Sequence, residues 1–578
     1  MKRIYRYTPL FLVLALFSGC NYTEPEMLSF ISEKEVVKNM NEITYLINNV
    51  YTYLPGGFDA IGNSSVAAAC DEAEEVDDDE DVQDFNTGNW GLFYNPEGDV
   101  WKNNYTGIRR ANAFIALLKK VDWSYLKAGT PDEYVRRVAL TTQHKYEAYY
   151  LRAFYYFELI KRYGGVPILA RGYDPNDELD SLVNLPRSNF SDCVDFIVND
   201  CDSAAKYLPV DYSSATSYYG RATKGAALAL KARTLLYAAS DLFNQTGNTN
   251  AIFGYTDGNR KEKWIRTAKA CKAVMDMTNY SFHSSYSDLF VLKSGVSKEV
   301  IFERRLTSGN SFEKLNYPIG FYTGQTHTCP TQNLVDAYSM ANGKEITDPT
   351  SGYDPNNPYL NRDPRLLKTI VVNKSTFGKN NTIVEAWEGG LQGLPRESAS
   401  KTGYYLRKYL NESLDLSLSS GTSTHQWIYF RLAEVYLNYA EAMVSAFGSP
   451  TAVSQADGLT LSAISAINSV RTRAAVKMPA VDNSVSTADF IRILRRERQV
   501  ELAFEDHRYW DVRRWMIADQ AIGGTIQGLR ITKDATTGVV TYTKKDVETR
   551  VWDSKMYLYP IFSSEMNKSK VLVQNPGW

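Results

Sequence analysis

Reaction chemistry rests on a few side-chain types, and in this chain the carboxylates come first. Glu497 and Glu501 stand one helical turn apart, which would put both on one face of a helix. A glycosidase needs little more than two carboxyl groups about 5 to 9.5 Å apart. However, Glu497, Arg498, Glu501, Glu505 and Arg508 recur at intervals of three and four, a pattern that builds a salt-bridge ladder along a helix. The five histidines, His144, His283, His327, His425 and His507, are scattered without metal-ligand spacing. No H-E-x-x-H, G-x-S-x-G, P-loop or G-x-G-x-x-G occurs. The chain therefore reads as a non-enzyme with no catalytic residue assigned; a glycoside hydrolase is the alternative that its many acids leave open.

The densest acids lie between Asp71 and Asp84, including Asp77-Asp78-Asp79-Glu80-Asp81. Hard oxygen ligands at that density could hold Ca²⁺, but the spacing is not that of an EF-hand loop. The run is read as solvated charge, and no metal or cofactor is assigned. Asp71 and Glu72, just behind the small-residue run Val66–Cys70, are the acids expected to face a ligand. Aromatic residues are the other resource: they make up 13% of the chain, with Tyr 40 and Trp 10. Tyrosine and tryptophan join an apolar face to a polar handle, which suits wet binding surfaces as well as cores. Trp90, Phe93, Tyr94, Tyr322 and Trp387 fall in loop-like sequence and are the ligand-binding candidates. Trp101, Trp427 and Trp510 fall on helical stripes and are expected in the core.

Helical periodicity supplies the frame. Tyr149, Ala153, Tyr156, Ile160 and Tyr163 alternate spacings of four and three, as do Leu228, Ala232, Leu235, Ala239 and Leu242, and Ile428, Leu432, Val435, Tyr439 and Ala442. Gly164-Gly165 should end the first of these helices. Further helices are predicted near 35–53, 101–121, 189–207, 261–277, 459–474 and 487–516. Alanines mixed with tyrosines at helical spacing let helices approach closely, as in tetratricopeptide-like pairs. The fold class is mainly α, an α-α superhelical core of such pairs with minor β. Residues 54–100 and 280–425 are rich in loop-forming residues, and the tail from Gly523 to Trp578 contains a candidate hairpin. Loops this long in a compact protein are usually functional or disordered, and binding residues are sought there.

Lys2, Arg3 and Arg6, the apolar run Leu10–Phe17 and the ending Ser18-Gly19-Cys20 form a secretory signal layout, too short to span a bilayer. Cys20 after Ser-Gly reads as a lipobox cysteine, acylated and anchoring a water-soluble body. Glu24 and Glu26 follow it. Cys70, Cys193, Cys201, Cys271 and Cys329 form no disulfide framework and are expected as buried thiols. Lys+Arg 64 against Asp+Glu 66 leaves a net charge of −2, giving no reason to expect a nucleic-acid partner.

Four stretches carry a family resemblance. They are Arg152-Ala153-Phe154-Tyr155-Tyr156-Phe157 with Arg162-Tyr163-Gly164-Gly165-Val166-Pro167; Arg431 to Ala442; Ile467 to Ala474 with Glu497 to Glu505 and Arg508 to Trp515; and Tyr559-Pro560-Ile561 with Gln574-Asn575-Pro576-Gly577-Trp578. In this order, behind a lipobox, they resemble the SusD/RagB nutrient-binding lipoproteins over nearly the whole mature chain. The resemblance implies a cell-surface lipoprotein of the outer membrane. It would capture oligosaccharide for a SusC-like TonB-dependent transporter, with peptide as the alternative cargo. It also implies a signal peptide over 1–19, an N-terminal helical region over 20–240 and a C-terminal region over 260–578 with the insert 280–425, all in one compact unit. A pyranose would lay its C–H face on an aromatic ring, and burying roughly 50 Å² there gives on the order of 1 kcal/mol. Two or three such rings with polar contacts reach the approximately −4 kcal/mol of millimolar binding.

Overall fold

A computed structural model describes residues 32–173, 176–212, 218–291 and 295–578. Cys20, Glu24, Glu26 and the signal segment 1–19 lie outside the described residues. The frame is a succession of helices: α1 (Met40–Tyr51), α2 (Val100–Leu118), α3 (Pro131–Tyr163), α4 (Phe190–Tyr207), α5 (Lys224–Ala239), α6 (Arg260–Met275), α7 (Leu432–Phe447), α8 (Ala463–Arg471) and α9 (Thr487–Glu501). From α2 to α8 each packs on the next, the tetratricopeptide-like arrangement that the alanine and tyrosine patterning predicts. Asn39, Asp99, Thr223, Ser462 and Ser486 cap their helices with side-chain oxygens that accept first-turn amides. Gly107 of α2 shows how close the approach is: a Cβ there would lie 2.7 Å from the Tyr155 ring of α3. Helix α3 does stop at Gly164, but it begins eighteen residues before the predicted stripe, its first half being amphipathic and half-exposed.

Helices α6 and α7 touch directly although 156 residues separate them in sequence, so the segment between them is looped out of a continuous stack. Most of that insert is irregular, with strands as short as Ile370–Val371. Three strand pairs matter below: β1 (Ala73–Glu75) with β3 (Thr328–Pro330), β2 (Val300–Arg305) with β4 (Gln426–Arg431), and the predicted hairpin of β5 (Thr525–Lys533) and β6 (Val540–Thr549), all antiparallel. The expected helix from Ile428 differs. Trp427-Ile428-Tyr429-Phe430 is aromatic and β-branched and pairs as β4, and helix α7 starts only at Leu432.

The expected single helix over 487–516 breaks after Glu501, where Phe504 and Asp506 take positive φ of 60° and 59°. The expected ladder along it does not form either, because its acids reach arginines from elsewhere. Glu501 accepts from Arg365, Arg431 and Arg473, and Glu497 from Arg365 and Arg471. The turn after α9 swings Glu505 onto Arg431 at 2.6 Å and Lys408 at 2.7 Å. Burial alone would raise the Glu501 carboxyl, but Arg473, Arg431 and Arg365 hold it well below the usual carboxylate range. Arg365 and Lys408 belong to the insert, so this network locks insert to core. The five cysteines in the described part of the chain are buried free thiols. Among the described residues no helix is long and apolar enough to cross a membrane.

Candidate functional site

The β1–β3 pair joins the two loop-rich regions of the sequence. Glu75 pairs with Thr328, and the Val76 amide donates to the His327 carbonyl at 3.0 Å. The strands are antiparallel, so the acidic run leaves β1 at the same end at which the Tyr322 loop enters β3. This register brings segments about 250 residues apart to one rim.

The loop from Tyr317 to His327 is tightly tied. Thr326 N donates to the Tyr317 carbonyl at 3.1 Å, Gln325 N to the Lys314 carbonyl at 3.0 Å, and Ile319 N to the Thr326 hydroxyl at 2.9 Å. Thr323 and Thr326 sit at φ of 57° and 73°, which β-branched residues adopt only when the surroundings enforce it. The result is a projecting Tyr322, 63% exposed. A third segment abuts this loop: a Cβ on Gly320 would lie 3.0 Å from the Leu391 carbonyl. Trp387 lies in that segment, on a turn closed by Gly390 N donating to its carbonyl at 2.8 Å. It is half-buried, and the Lys533 ammonium of β5 sits 4.2 Å from its ring centroid. On the acidic side Phe93 is 88% exposed and Tyr94 40%. The Tyr94 hydroxyl donates to Asp81 at 3.2 Å, and burial with the Asp84 and Asp81 carboxylates pushes that phenol up, keeping it a donor.

The acids of this rim are individually engaged. Glu80 accepts from Asn63 at 3.0 Å, Lys401 reaches Asp78 and the Glu75 carbonyl, and Asp84 accepts from Asn89 at 2.9 Å. His327 Nδ1 lies 3.3 Å from Glu75 and 3.9 Å from Glu80. Burial depresses this imidazole, but Glu75, Glu80 and Asp77 outweigh burial and raise it. Among the described residues no group of three or more His, Cys, Asp or Glu side chains is gathered as metal ligands. Exposed rings beside carboxylates and amides can hold a ligand with an apolar face and hydroxyl edges.

Three of the expected ligand contacts turn inward instead. Trp90 is 7% exposed, packed among Phe85, Tyr559 and Trp578. Asp71 is buried in a two-pronged pair with Arg508 at 2.8 and 2.7 Å. Glu72 is 1% exposed, and its carboxylate accepts the Phe504 amide at 3.3 Å. The Val66–Cys70 segment ahead of them is itself core, so the chain is still inside the protein when it reaches these acids. The structure instead adds His327, Asn63, Lys401 and Lys533, whose roles depend on long-range pairing and leave no local sequence signal. A cleft of about 680 Å³ between the insert and α9 lies elsewhere. Its principal charges are already paired, Glu345 with Arg496 and Glu497 with Arg471.

Glu72 yields a test of this burial. Desolvation and Asp71 push its carboxyl up to about 8, far above the unfolded value of about 4.3. Stability from this group is therefore fully present below about pH 4.3 and lost as the pH rises through about 8. Glu72→Gln is expected to flatten that decline, measured as urea midpoints at pH 5, 7 and 9. Identical pH profiles for the two proteins would contradict the burial.

Comparison with known proteins adds the following. Residues 292–578 match the model of the SusD family, and residues 23–236 match that of a family described as starch-binding and associating with the outer membrane. A SusD-like protein, P38, of Formosa agariphila is 26% identical over 465 residues, covering 78% of each chain. The crystal structure of a SusD-like protein from Bacteroides fragilis superposes with a TM-score of 0.76 at 25% identity, over 95% of this chain and 99% of that one. A SusD-like carbohydrate-binding protein from the same species gives 0.74 at 23% identity, over 93% and 100%.

Proposed function

This chain belongs to the SusD family of outer-membrane-associated carbohydrate-binding proteins, and from that premise we propose that it captures oligosaccharide at the cell surface and passes it to a TonB-dependent transporter. The ligand is held, without being cleaved, on the rim built by Phe93, Tyr94, Tyr322 and Trp387. Cys20 carries the acyl anchor once residues 1–19 are removed. The mature chain works as one compact unit, its helical region 20–240 and its C-terminal region 260–578 joined through the insert 280–425. The observation that supports this reading most is the β1–β3 register, which sets the acidic run and the Tyr322 loop side by side. Weak capture is sufficient for a receptor tethered at the transporter mouth, because tethering raises effective concentration.

The test is a glycan array run beside a peptide pool, followed by titration of the best ligand. Tyr322→Ala and Trp387→Ala should each lower affinity about fivefold, corresponding to roughly 1 kcal/mol of ring contact. Unchanged affinity in both variants would remove the rim from consideration. Binding confined to the peptide pool would change the cargo, and sugar release over time would make the protein a hydrolase. Purification from detergent-solubilised membranes should bring a transporter barrel with it.

A further inference from the structure

A second cleft, of about 340 Å³, opens between the helical half and strand β2 and shares no lining residue with the rim. Its walls include Tyr212, Tyr219, Tyr280, Asn279, Arg221 and Glu303. The tyrosines and the asparagine are all part-exposed. Tyr219 carries Arg305 over one ring face at 4.5 Å and Tyr212 is stacked on Tyr218, which leaves their other faces, the Tyr280 ring and an amide for a ligand. Arg221 is held in place by the buried Glu147 at 2.6 Å, and Tyr212 takes a hydrogen bond from Gln143 at 3.0 Å while donating to the Ala222 carbonyl at 3.2 Å. Tyr280 lies tight against α5, where a Cβ on Gly225 would fall 2.0 Å from its hydroxyl. These walls are built rather than incidental.

Glu303 is the telling group. It sits on β2, 3% exposed, with Oε1 accepting from Arg305 Nε at 2.7 Å and Oε2 accepting from nothing among the described residues. Burial raises this carboxyl, although Arg305 opposes the rise. A buried acceptor without a protein partner costs stability, and a water, an ion or a ligand can fill it. Tyrosine rings, an amide, a guanidinium and an idle carboxylate oxygen are together the complement of a pyranose: an apolar face, hydroxyl acceptors and hydroxyl donors. The volume lies at the small end of ligand sites, enough for one or two sugar rings and too little for a long chain.

We propose that this cleft is a second sugar-binding site, which takes a single neutral pyranose unit and directs a ligand hydroxyl toward Glu303. The proposal rests on glycan being this protein's ligand, and it adds to the rim a separate site for a chain end or a free monosaccharide.

The experiment uses the whole mature chain with the methyl glycosides of glucose, galactose, mannose and N-acetylglucosamine as probes, read by saturation-transfer NMR and by calorimetric stoichiometry. At least one probe should bind to a protein that carries Tyr322→Ala and Trp387→Ala together. Adding Tyr219→Ala should weaken that remaining binding at least tenfold, and Glu303→Gln should weaken it less, since the amide keeps an acceptor oxygen. Circular dichroism and the urea midpoint confirm that each variant folds. Monosaccharide binding that vanishes in the rim double variant overturns the second site and leaves the rim standing. Binding untouched by Tyr219→Ala or Glu303→Gln overturns it as well, leaving a water on Glu303. If none of these probes binds and the oligosaccharide array is also blank, the glycan reading falls with it; a blank set of probes beside a positive array overturns the second site alone.

Discussion

Replacing Arg431 with methionine is expected to cost about 3–5 kcal/mol of stability at neutral pH, the usual result of removing one partner from a buried ionic cluster. Arg431 is 1% exposed, and its guanidinium meets Glu505 at 2.6 Å, Glu501 at 2.7 Å and Glu299 at 2.9 Å, and donates to the Glu501 carbonyl at 2.7 Å. Without it three buried carboxylates face one another, with Arg365, Arg473 and Lys408 the cations left among the described residues to balance them. The effect has a pH signature. The folded-state pKa of Glu501 is depressed by these arginines, so its contribution is present above the unfolded value of about 4.3 and fades as the pH falls toward the folded value. The gap between wild type and Arg431→Met should therefore be widest near pH 7 and narrow in acid. Urea titration of the first unfolding transition at pH 7 and pH 4 measures both. Adding Glu505→Gln to Arg431→Met should recover part of the loss, since it withdraws one stranded charge. A midpoint shift worth less than about 1 kcal/mol at pH 7 would mean that the cluster does not lock the insert to the core.

The helical frame was readable because its signal is local. Helical spacing, capping by Asp99 and Thr223 and the stop at Gly164 each act within a turn or two of themselves, and they mark where α2 and α5 start and where α3 ends. The errors fell where distant residues decide. Trp427 to Arg431 carries a helical stripe, yet it becomes a strand because Val300–Arg305 offers it a ladder. Residues 502–506 break a helix that periodicity would continue, because Glu505 has buried cations to reach. The rim divided along the same line. Tyr322 and Phe93 were legible as loop aromatics and are exposed, whereas Asp71 was placed outside although Arg508, 437 residues away, draws it in. Periodicity carries no term for a partner that far along the chain.

Trp90 is the residue for which loop position and structural role diverge most, and Trp90→Ala is expected to cost about 3–5 kcal/mol in stability, with little direct effect on ligand contact. Its ring lies 5.0 Å, centroid to centroid, from each of Phe85, Tyr559 and Trp578. Trp578 in turn donates its indole N–H to the Lys555 and Leu558 carbonyls at 3.0 and 2.9 Å. Above this stack the chain turns tightly, with Gly91 N donating to the Tyr94 carbonyl at 2.8 Å, and at that turn Phe93 stands exposed. Trp90 thus belongs to the footing of the rim, and Phe93 to its surface. The two substitutions should separate cleanly. Phe93→Ala is expected to leave the urea midpoint within about 0.5 kcal/mol of wild type while lowering ligand affinity by a few fold. Trp90→Ala should shift the midpoint strongly and, at temperatures where it remains folded, keep most of its affinity. Measuring both variants by urea titration and by ligand titration decides the matter. If Trp90→Ala lost affinity as Phe93→Ala does while keeping its midpoint, the indole would be a ligand contact after all and the footing would have to be assigned to other residues.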